Sequence, residues 1–331
     1  MPLIAEVEAA LKKSPRRWLV TGAAGFIGSH IVERLLSLGQ TVVGLDNLSA
    51  GHRANLPAPT AGWTFIEGDI REPLVCRAAC EGVELVLHQA ALGSVPRSIE
   101  DPIRTHQSNV DGFLNILVAA RDAKVKRFVY ASSSSVYGDA PKLPKREGEE
   151  GRLLSPYAVS KAINETYARN FEKVYGLKTV GLRYFNVFGP RQDPNGAYAA
   201  VVPRWLAALS RGEACEIFGD GLTSRDFCFV ANAVQVNLLA AIVEGEGVTD
   251  SVYNVSVGGR TTLLELYEQL RARVAKKVPS VASLQPKLSG FRSGDIRDSQ
   301  ADISRAQTKL GYVPTHTIEQ GLDVTVTQVL R

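Results

Sequence analysis

Along the first half of the chain, short apolar runs rich in β-branched residues alternate with longer stretches whose apolar residues recur at helical spacing. The runs are RWLVT (17–21), TVVGLD (41–46), TFIEGD (64–69), LVLHQAA (85–91), KRFVYASS (126–133) and TVGLRYFNV (179–187). The helical stretches are clearest at 26–38, 102–123 and 157–175. Strands that are apolar throughout, rather than alternating, belong to parallel sheets covered on both faces. Strand–helix alternation of this kind predicts an α/β fold with a doubly wound parallel sheet. Past Gly189 the pattern changes: Pro, Gly and Asn crowd 189–196, and helices near 200–211 and 262–277 are separated by short strands. Residues 1–188 are therefore expected to form one domain and 189–331 a smaller α+β domain. The boundary is interleaved, because VYNVS (252–256) reads as a strand returning to the main sheet and about 230–258 would complete the first domain. The segment 1–14, with Leu3, Ile4, Val7, Ala10 and Leu11, reads as an amphipathic helix bracing the surface.

Composition narrows the function classes. The 331 residues are 45% hydrophobic and 22% charged, which excludes a disordered or low-complexity chain. A net charge of +4 is too small and too scattered for a nucleic-acid face, although it suits contacts with an anionic ligand. No apolar run reaches the ~18 residues of a membrane helix. Cys76, Cys80, Cys215 and Cys228 form no CxxC and have no histidine at metal-motif spacing, so no metal site is expected. Cys76 and Cys80 read as a buried pair on one helix. The first residues lack the apolar core of a secretion signal, and a reducing cytoplasmic setting is expected.

The first strand runs into Thr21-Gly22-Ala23-Ala24-Gly25-Phe26-Ile27-Gly28, and a helix begins at once. Glycines at this spacing allow a tight turn, close approach to a pyrophosphate, and helix-on-strand packing. The free N–H groups of the first helical turn would then hold phosphate oxygens. Asp46 ends the second strand, where a carboxylate takes a ribose diol and repels a 2′-phosphate. Asn47, Leu48 and Ser49 follow it without an arginine, so NAD is expected over NADP. Asp69-Ile70, after the third strand, is placed either to reach an adenine or to cap a turn.

Two further features point to redox chemistry. Tyr157 and Lys161 stand one helical turn apart in SPYAVSKAINET, on a helix that Ser155-Pro156 is fit to start. The run Ser132-Ser133-Ser134-Ser135 follows a strand at its carboxyl end, where doubly wound sheets hold their ligands. Lowering a tyrosine from pKa ~10 to near 7 takes about 4 kcal/mol of preferential phenolate stabilisation. A nearby Lys ammonium and the positive ring of NAD⁺ are candidate sources.

With these residues in view, the sequence resembles the extended short-chain dehydrogenase/reductase family of nucleotide-sugar enzymes. The resemblance runs through GAAGFIG, SSSSVYGD, YAVSK, LRYFNVFGPRQ, SRDFCFV and ADISRA. It implies a Rossmann domain binding NAD through Gly22, Gly25, Phe26, Ile27, Gly28, Asp46, Asn47, Asp69 and Ile70. Gln89, Ala90, Ala91, Asn109, Tyr157, Lys161, Tyr184 and Val187 are implied as further cofactor contacts. A catalytic triad of Ser133, Tyr157 and Lys161 is implied as well. Family dehydratases carry an Asp-Glu pair after the triad hydroxyl, whereas Ser134 and Ser135 stand here and cannot act as carboxylate acid/bases. The resemblance therefore implies 4-epimerisation through a 4-keto sugar with tightly held NAD.

For the substrate, Arg225 and Arg292 match positions that hold the diphosphate of a UDP-sugar, and Asn186 a diphosphate or sugar contact. The stretch AAVVP (199–203), with Ala200 and Val201, resembles the start of the helix on the uracil side. Ser299 replaces a bulky Tyr found in epimerases restricted to non-acetylated sugars. Ser94, Ser133, Ser134, Gln192 and Ala200 resemble the sugar pocket of UDP-N-acetylglucosamine 4-epimerases of the O-antigen type. The implied reaction is interconversion of UDP-N-acetylglucosamine and UDP-N-acetylgalactosamine, with UDP-glucose and UDP-galactose as secondary substrates. The alternatives are a UDP-glucuronate 4-epimerase, for which no cation beside C6 stands out in the sequence, another NAD-dependent nucleotide-sugar enzyme such as a reductase that releases its cofactor, and an idle NAD-binding regulator. The resemblance implies a homodimer in which the helices at 102–123 and 157–175 pair as a four-helix bundle; the alternative is that their apolar residues Phe113, Leu114, Leu117, Tyr167 and Phe171 face only the sheet.

Overall fold

The apolar runs of the first half assemble into one parallel sheet in the computed structural model, which describes residues 3–195, 199–291 and 297–330. Its strands are β1 (Arg17–Thr21), β2 (Thr41–Asp46), β3 (Trp63–Glu67), β4 (Leu85–His88), β5 (Arg127–Ser133), β6 (Thr179–Tyr184) and β7 (Ser251–Val255). They lie in the order β7-β6-β5-β4-β1-β2-β3. The direction of winding reverses at β1, between β2 and β4, and a crevice opens there at the carboxyl ends of the strands.

Helices cover both faces. On one lie α1 (Ile4–Lys13), α2 (Phe26–Ser37) and α5 (Val230–Ile242), packed with Trp18, Val20, Val42 and Leu87. On the other lie α3 (Pro73–Cys80), the helical run 102–122 and α4 (Pro156–Tyr175), packed with Leu19, Val86 and Phe128. Cys76 and Cys80 are buried thiols on α3. The brace α1 inserts Val7 and Leu11 into the first core, and the Gln40 amide donates to the Leu11 carbonyl at 2.9 Å. Each of those two side chains contributes about 1.5–3 kcal/mol by burial.

Three elements differ from the sequence expectation. The run 179–187 is not one strand: it breaks at Phe185, and Asn186–Phe188 leaves the sheet to pair with Phe227–Phe229. The stretch 102–122 is one helical run interrupted by a π-turn at Gln107–Asp111. The third, α5, has no polar face, since every residue from Asn232 to Ala241 is buried, and so it shows no helical periodicity.

The remaining chain gathers around Phe188, Trp205, Ile217, Phe227, Leu266 and Tyr267 in a separate core. Short strand pairs frame it, among them Ser224–Arg225 with Thr261–Thr262 and Glu216–Phe218 with Lys287–Ser289. Among the described residues no helix is long and apolar enough to cross a membrane.

Candidate active site

A cleft of about 1050 Å³ runs from the β1–β4 crevice towards the smaller core. Gly22, Gly25, Phe26, Ile27 and Gly28 line its floor. Their glycines are required by close approach. A Cβ on Gly28 would stand 2.0 Å from the Gly22 carbonyl oxygen, and one on Gly22, whose φ is +69°, would stand 2.8 Å from Ala90 N. The helix that follows has Gly25 as its N-cap, no side-chain cap and no acidic residue in its first turn. Its leading amides are thus available to an anion.

Asp46 closes this end. Its Oδ2 accepts from Ala24 N at 2.9 Å and its Oδ1 from Leu48 N at 2.8 Å, leaving lone pairs on both oxygens for a diol. Asn47, Ile70, Ala90 and Ala91 line the same cleft. Asp69 does not. The Arg71 guanidinium binds its carboxylate and pulls its pKa down to about 2, and Asn47 donates to it at 2.7 Å. It also accepts from Arg71 N at 2.8 Å, so the turn-capping reading describes its geometry.

Asn109 likewise lies behind the wall. From the π-turn its side chain holds Leu92 N and O at 2.7 and 3.1 Å and reaches Ser160 Oγ at 3.2 Å. It ties the loop after β4 to α4. Gln89 and Tyr184 line the cleft and share a polar cluster with Asn237 of α5, which donates to the Tyr184 hydroxyl at 2.6 Å. Val187 lines the cleft on the same side. Asn237 carries no motif that would single it out in the sequence.

Ser133, Tyr157 and Lys161 converge in the middle of the cleft. Ser133 ends β5 and accepts from Ser135 N at 3.2 Å. Ser155 caps α4 by accepting from Ala158 N, and Pro156 occupies the first turn, so Tyr157 and Lys161 sit on the helix's rigid beginning. Lys161 is buried; its Nζ donates to the Ala131 carbonyl at 2.9 Å and lies 5.8 Å from the Tyr157 ring centre. Desolvation draws its pKa down to about 8, opposed by Glu165 one turn on.

Burial pushes the Tyr157 phenol up rather than down, with the Ser133 hydroxyl opposing. The lowering expected from a lysine one turn away is therefore not delivered by Lys161 alone, because both groups are desolvated together. The Ser135 hydroxyl, buried in the cleft, has no hydrogen-bond partner among the described residues.

Towards the smaller core, Ser134, Asn186, Gln192, Arg225 and Ser299 line the cleft. Gln192 donates to the Val187 carbonyl at 3.3 Å and leaves its buried Oε1 unpartnered. Arg225 Nη1 donates to the Ser224 carbonyl at 2.9 Å. Ser94 caps the helix Val95–Glu100 by accepting from Arg97 N, and Ala200 precedes the helix beginning at Val201; none of these three lines the cleft. Arg292 lies outside the described residues. Sequence reasoning did not single out Gly138, Lys145 or Leu154 as site residues, and all three line the cleft. They come from an irregular segment with no periodicity to mark its inward side.

Glycine cradle, open helix N-terminus and carboxylate together fit a dinucleotide. Residues 18–256 match the model of the NAD dependent epimerase/dehydratase family. The UDP-glucose 4-epimerase of Mycolicibacterium smegmatis is 38% identical over 94% of this chain and 97% of its own length. Two solved structures superpose with a TM-score of 0.88. One, Thermotoga maritima UDP-glucose 4-epimerase with UDP-glucose, is 36% identical over 95% of this chain and 100% of that one. The other, the UDP-N-acetylglucosamine 4-epimerase of Methanobrevibacter ruminantium in complex with UDP-N-acetylmuramic acid, is 38% identical over 96% and 98%.

Proposed function

The chain belongs to the NAD-dependent epimerase/dehydratase family, and from that premise we propose that it interconverts UDP-N-acetylglucosamine and UDP-N-acetylgalactosamine at C4. The coarser activity, an NAD-dependent 4-epimerase of UDP-sugars, is common ground with relatives that match along nearly the whole chain. The observation carrying the finer reading is Ser299, a small side chain in the cleft wall that also holds Arg225. A small residue there leaves room for a 2-acetamido group.

When bound, NAD supplies the hydride acceptor and donor that inversion at C4 requires. Gly22, Gly25 and Gly28 admit its pyrophosphate to the first-turn amides of α2, and Asp46 takes a ribose diol. Ser133 orients the sugar 4-hydroxyl towards the Tyr157 phenol, which takes its proton and later returns one. The Lys161 ammonium stabilises the phenolate that forms, and its bond to the Ala131 carbonyl fixes its place. Asn186, Gln192 and Arg225 hold the diphosphate and sugar. Ser134 and Ser135 offer no carboxylate where the family's dehydratases carry an Asp-Glu pair, which disfavours elimination of water.

We further propose a cytoplasmic homodimer. The four described cysteines are free buried thiols, and Ile103, Val159 and Val174 leave apolar side chains exposed on the two helices expected to form the four-helix bundle.

Purified protein incubated with UDP-N-acetylglucosamine, without added NAD, is expected to produce the galacto epimer, followed through the anomeric protons by NMR. Ser299→Tyr is expected to abolish that turnover while UDP-glucose is still epimerised. Unchanged activity on the acetylated sugar in the variant would remove the case for acetyl specificity.

A further inference from the structure

Glu165 stands one helical turn beyond Lys161 on α4, at the spacing that makes two side chains neighbours on one helix face. Arg183 of β6 grips its carboxylate twice, Nε to Oε1 at 2.9 Å and Nη2 to Oε2 at 2.7 Å. Ser132 Oγ donates to Oε1 at 2.5 Å. Ser132 directly precedes Ser133 on β5, and both line the cleft. One carboxylate thus joins the helix that carries Tyr157 and Lys161 to the strand end that carries Ser133.

Lys161 and Arg183 are both buried. Arg183 has a second anchor, since its Nη1 donates to Glu150 and its guanidinium lies 4.9 Å from the Tyr137 ring centre. Glu147, whose charge also reaches Arg183, is raised by burial and accepts from Asn254 N at 2.7 Å. The other titratable groups facing Lys161 or Glu165 are Tyr157 on α4, Tyr130 on β5 and His88 on β4. Burial holds both phenols up and His88 down to about 3, so all three are neutral at pH 7. Arg169, a further turn along α4, is exposed and pairs with Asp250 at 3.7 Å. Glu165 is then the charge that opposes the desolvation of Lys161. Without it Arg183 would keep Glu150, whereas Lys161 would keep no carboxylate. An arginine in a protein does not give up its proton, but a buried lysine does, so the deficit would fall on Lys161.

We propose that Glu165 is a positioning residue for the epimerisation: its carboxylate keeps Lys161 in the ammonium form that the Tyr157 phenolate needs, and through Ser132 it fixes the strand end bearing Ser133. This rests on the reading of Tyr157 as the base and adds the group that sustains its support. A residue that only tied α4 to the sheet would affect turnover equally at every pH. A counter-charge to Lys161 acts where the lysine titrates.

The test is the pH profile of the NAD-loaded enzyme with UDP-N-acetylglucosamine. Wild-type kcat is expected to fall as pH rises through about 8, where Lys161 loses its proton. Glu165→Gln keeps the size of the side chain and an acceptor for Ser132 and Arg183. In it the alkaline limb is expected to move down by at least about one pH unit, with KM within about threefold of wild type. Glu165→Asp is expected to lie between the two. A limb that stays in place, or a loss of kcat by the same factor at every pH, overturns the proposal. If Glu165→Gln fails to fold, Glu165→Asp carries the test with a smaller downward shift, and an unmoved limb there is equally decisive. A readout independent of turnover is the ¹⁵N NMR titration of the Lys161 Nζ in lysine-labelled, NAD-loaded protein, its signal assigned by its loss in Lys161→Met. Its midpoint is expected to be lower in Glu165→Gln than in wild type, and equal midpoints overturn the proposal. A lowered midpoint in a protein that epimerises no UDP-sugar would sink the proposed function and leave the hold of Glu165 on Lys161 standing. Epimerisation with an unmoved midpoint would do the reverse.

Discussion

Tyr157 is a phenol that its own protein makes harder to ionise, since burial raises it and only the Ser133 hydroxyl pulls the other way. Such a group works as a base only when the loaded site supplies positive charge, which couples proton transfer to cofactor occupancy. Tyr157→Phe is expected to lower kcat by about 10²–10⁴ while NAD content and thermal unfolding stay unchanged. Full retention of activity would reassign the base.

A second buried group carries a pH signature. His88 is packed among Phe113 and Phe128 with Thr21 Oγ1 2.8 Å from its Nδ1, and burial lowers its pKa to about 3. In the unfolded chain it titrates near 6.5. Between those values the unfolded state binds the extra proton. The stability it sustains is complete above pH 6.5 and drains as pH falls towards 3, by about 1.4 kcal/mol per pH unit. Denaturant unfolding at pH 7, 6 and 5 is expected to show a shallower acid loss in His88→Phe than in wild type. Parallel curves would mean that His88 is not the group responsible.

At the scale of elements, the turn from β1 into α2 is held by carbonyl-to-glycine contacts that leave no room for a methyl group. Gly28→Ala, which would bring a Cβ to 2.0 Å from the Gly22 oxygen, is expected to cost more than about 2 kcal/mol and to strip NAD from the purified protein. A variant with wild-type melting and full NAD content would contradict that geometry. The β1 turn and the Tyr157–Lys161 pair were legible in the sequence because each is local: a strand end, a helix start, a spacing of one turn. The fold of the first half was legible for the same reason. Helix α5 was not, since a helix buried on every side has no polar stripe to reveal its period. Nor was Lys145, whose place in the cleft depends on pairing with Ala301, far along the chain. Asp69 and Asn109 bear family-like positions, yet their side chains are spent on Arg71 and on the Leu92 loop.

For the whole molecule, two cores sandwich the sheet and a third supports the sugar end of the cleft. The exposed apolar residues of the proposed dimer face, Ile103 on the run 102–122 and Val159 and Val174 on α4, do not belong to the third core. Sedimentation at micromolar concentration is expected to give twice the 35.8 kDa chain mass. A purely monomeric species would dismiss the bundle.

The return of the chain to the sheet also has a consequence for biosynthesis. Strand β7 pairs with β6, and Asn237 supplies part of the polar floor shared with Gln89 and Tyr184. A nascent polypeptide that has emerged only as far as β6 therefore presents an unfinished sheet edge and an incomplete cleft floor. The cleft is finished late in translation, since α5, β7 and then Ser299 follow the first sugar-side segments, so an abandoned fragment ending before α5 would persist as an aggregation hazard and not as a functional half.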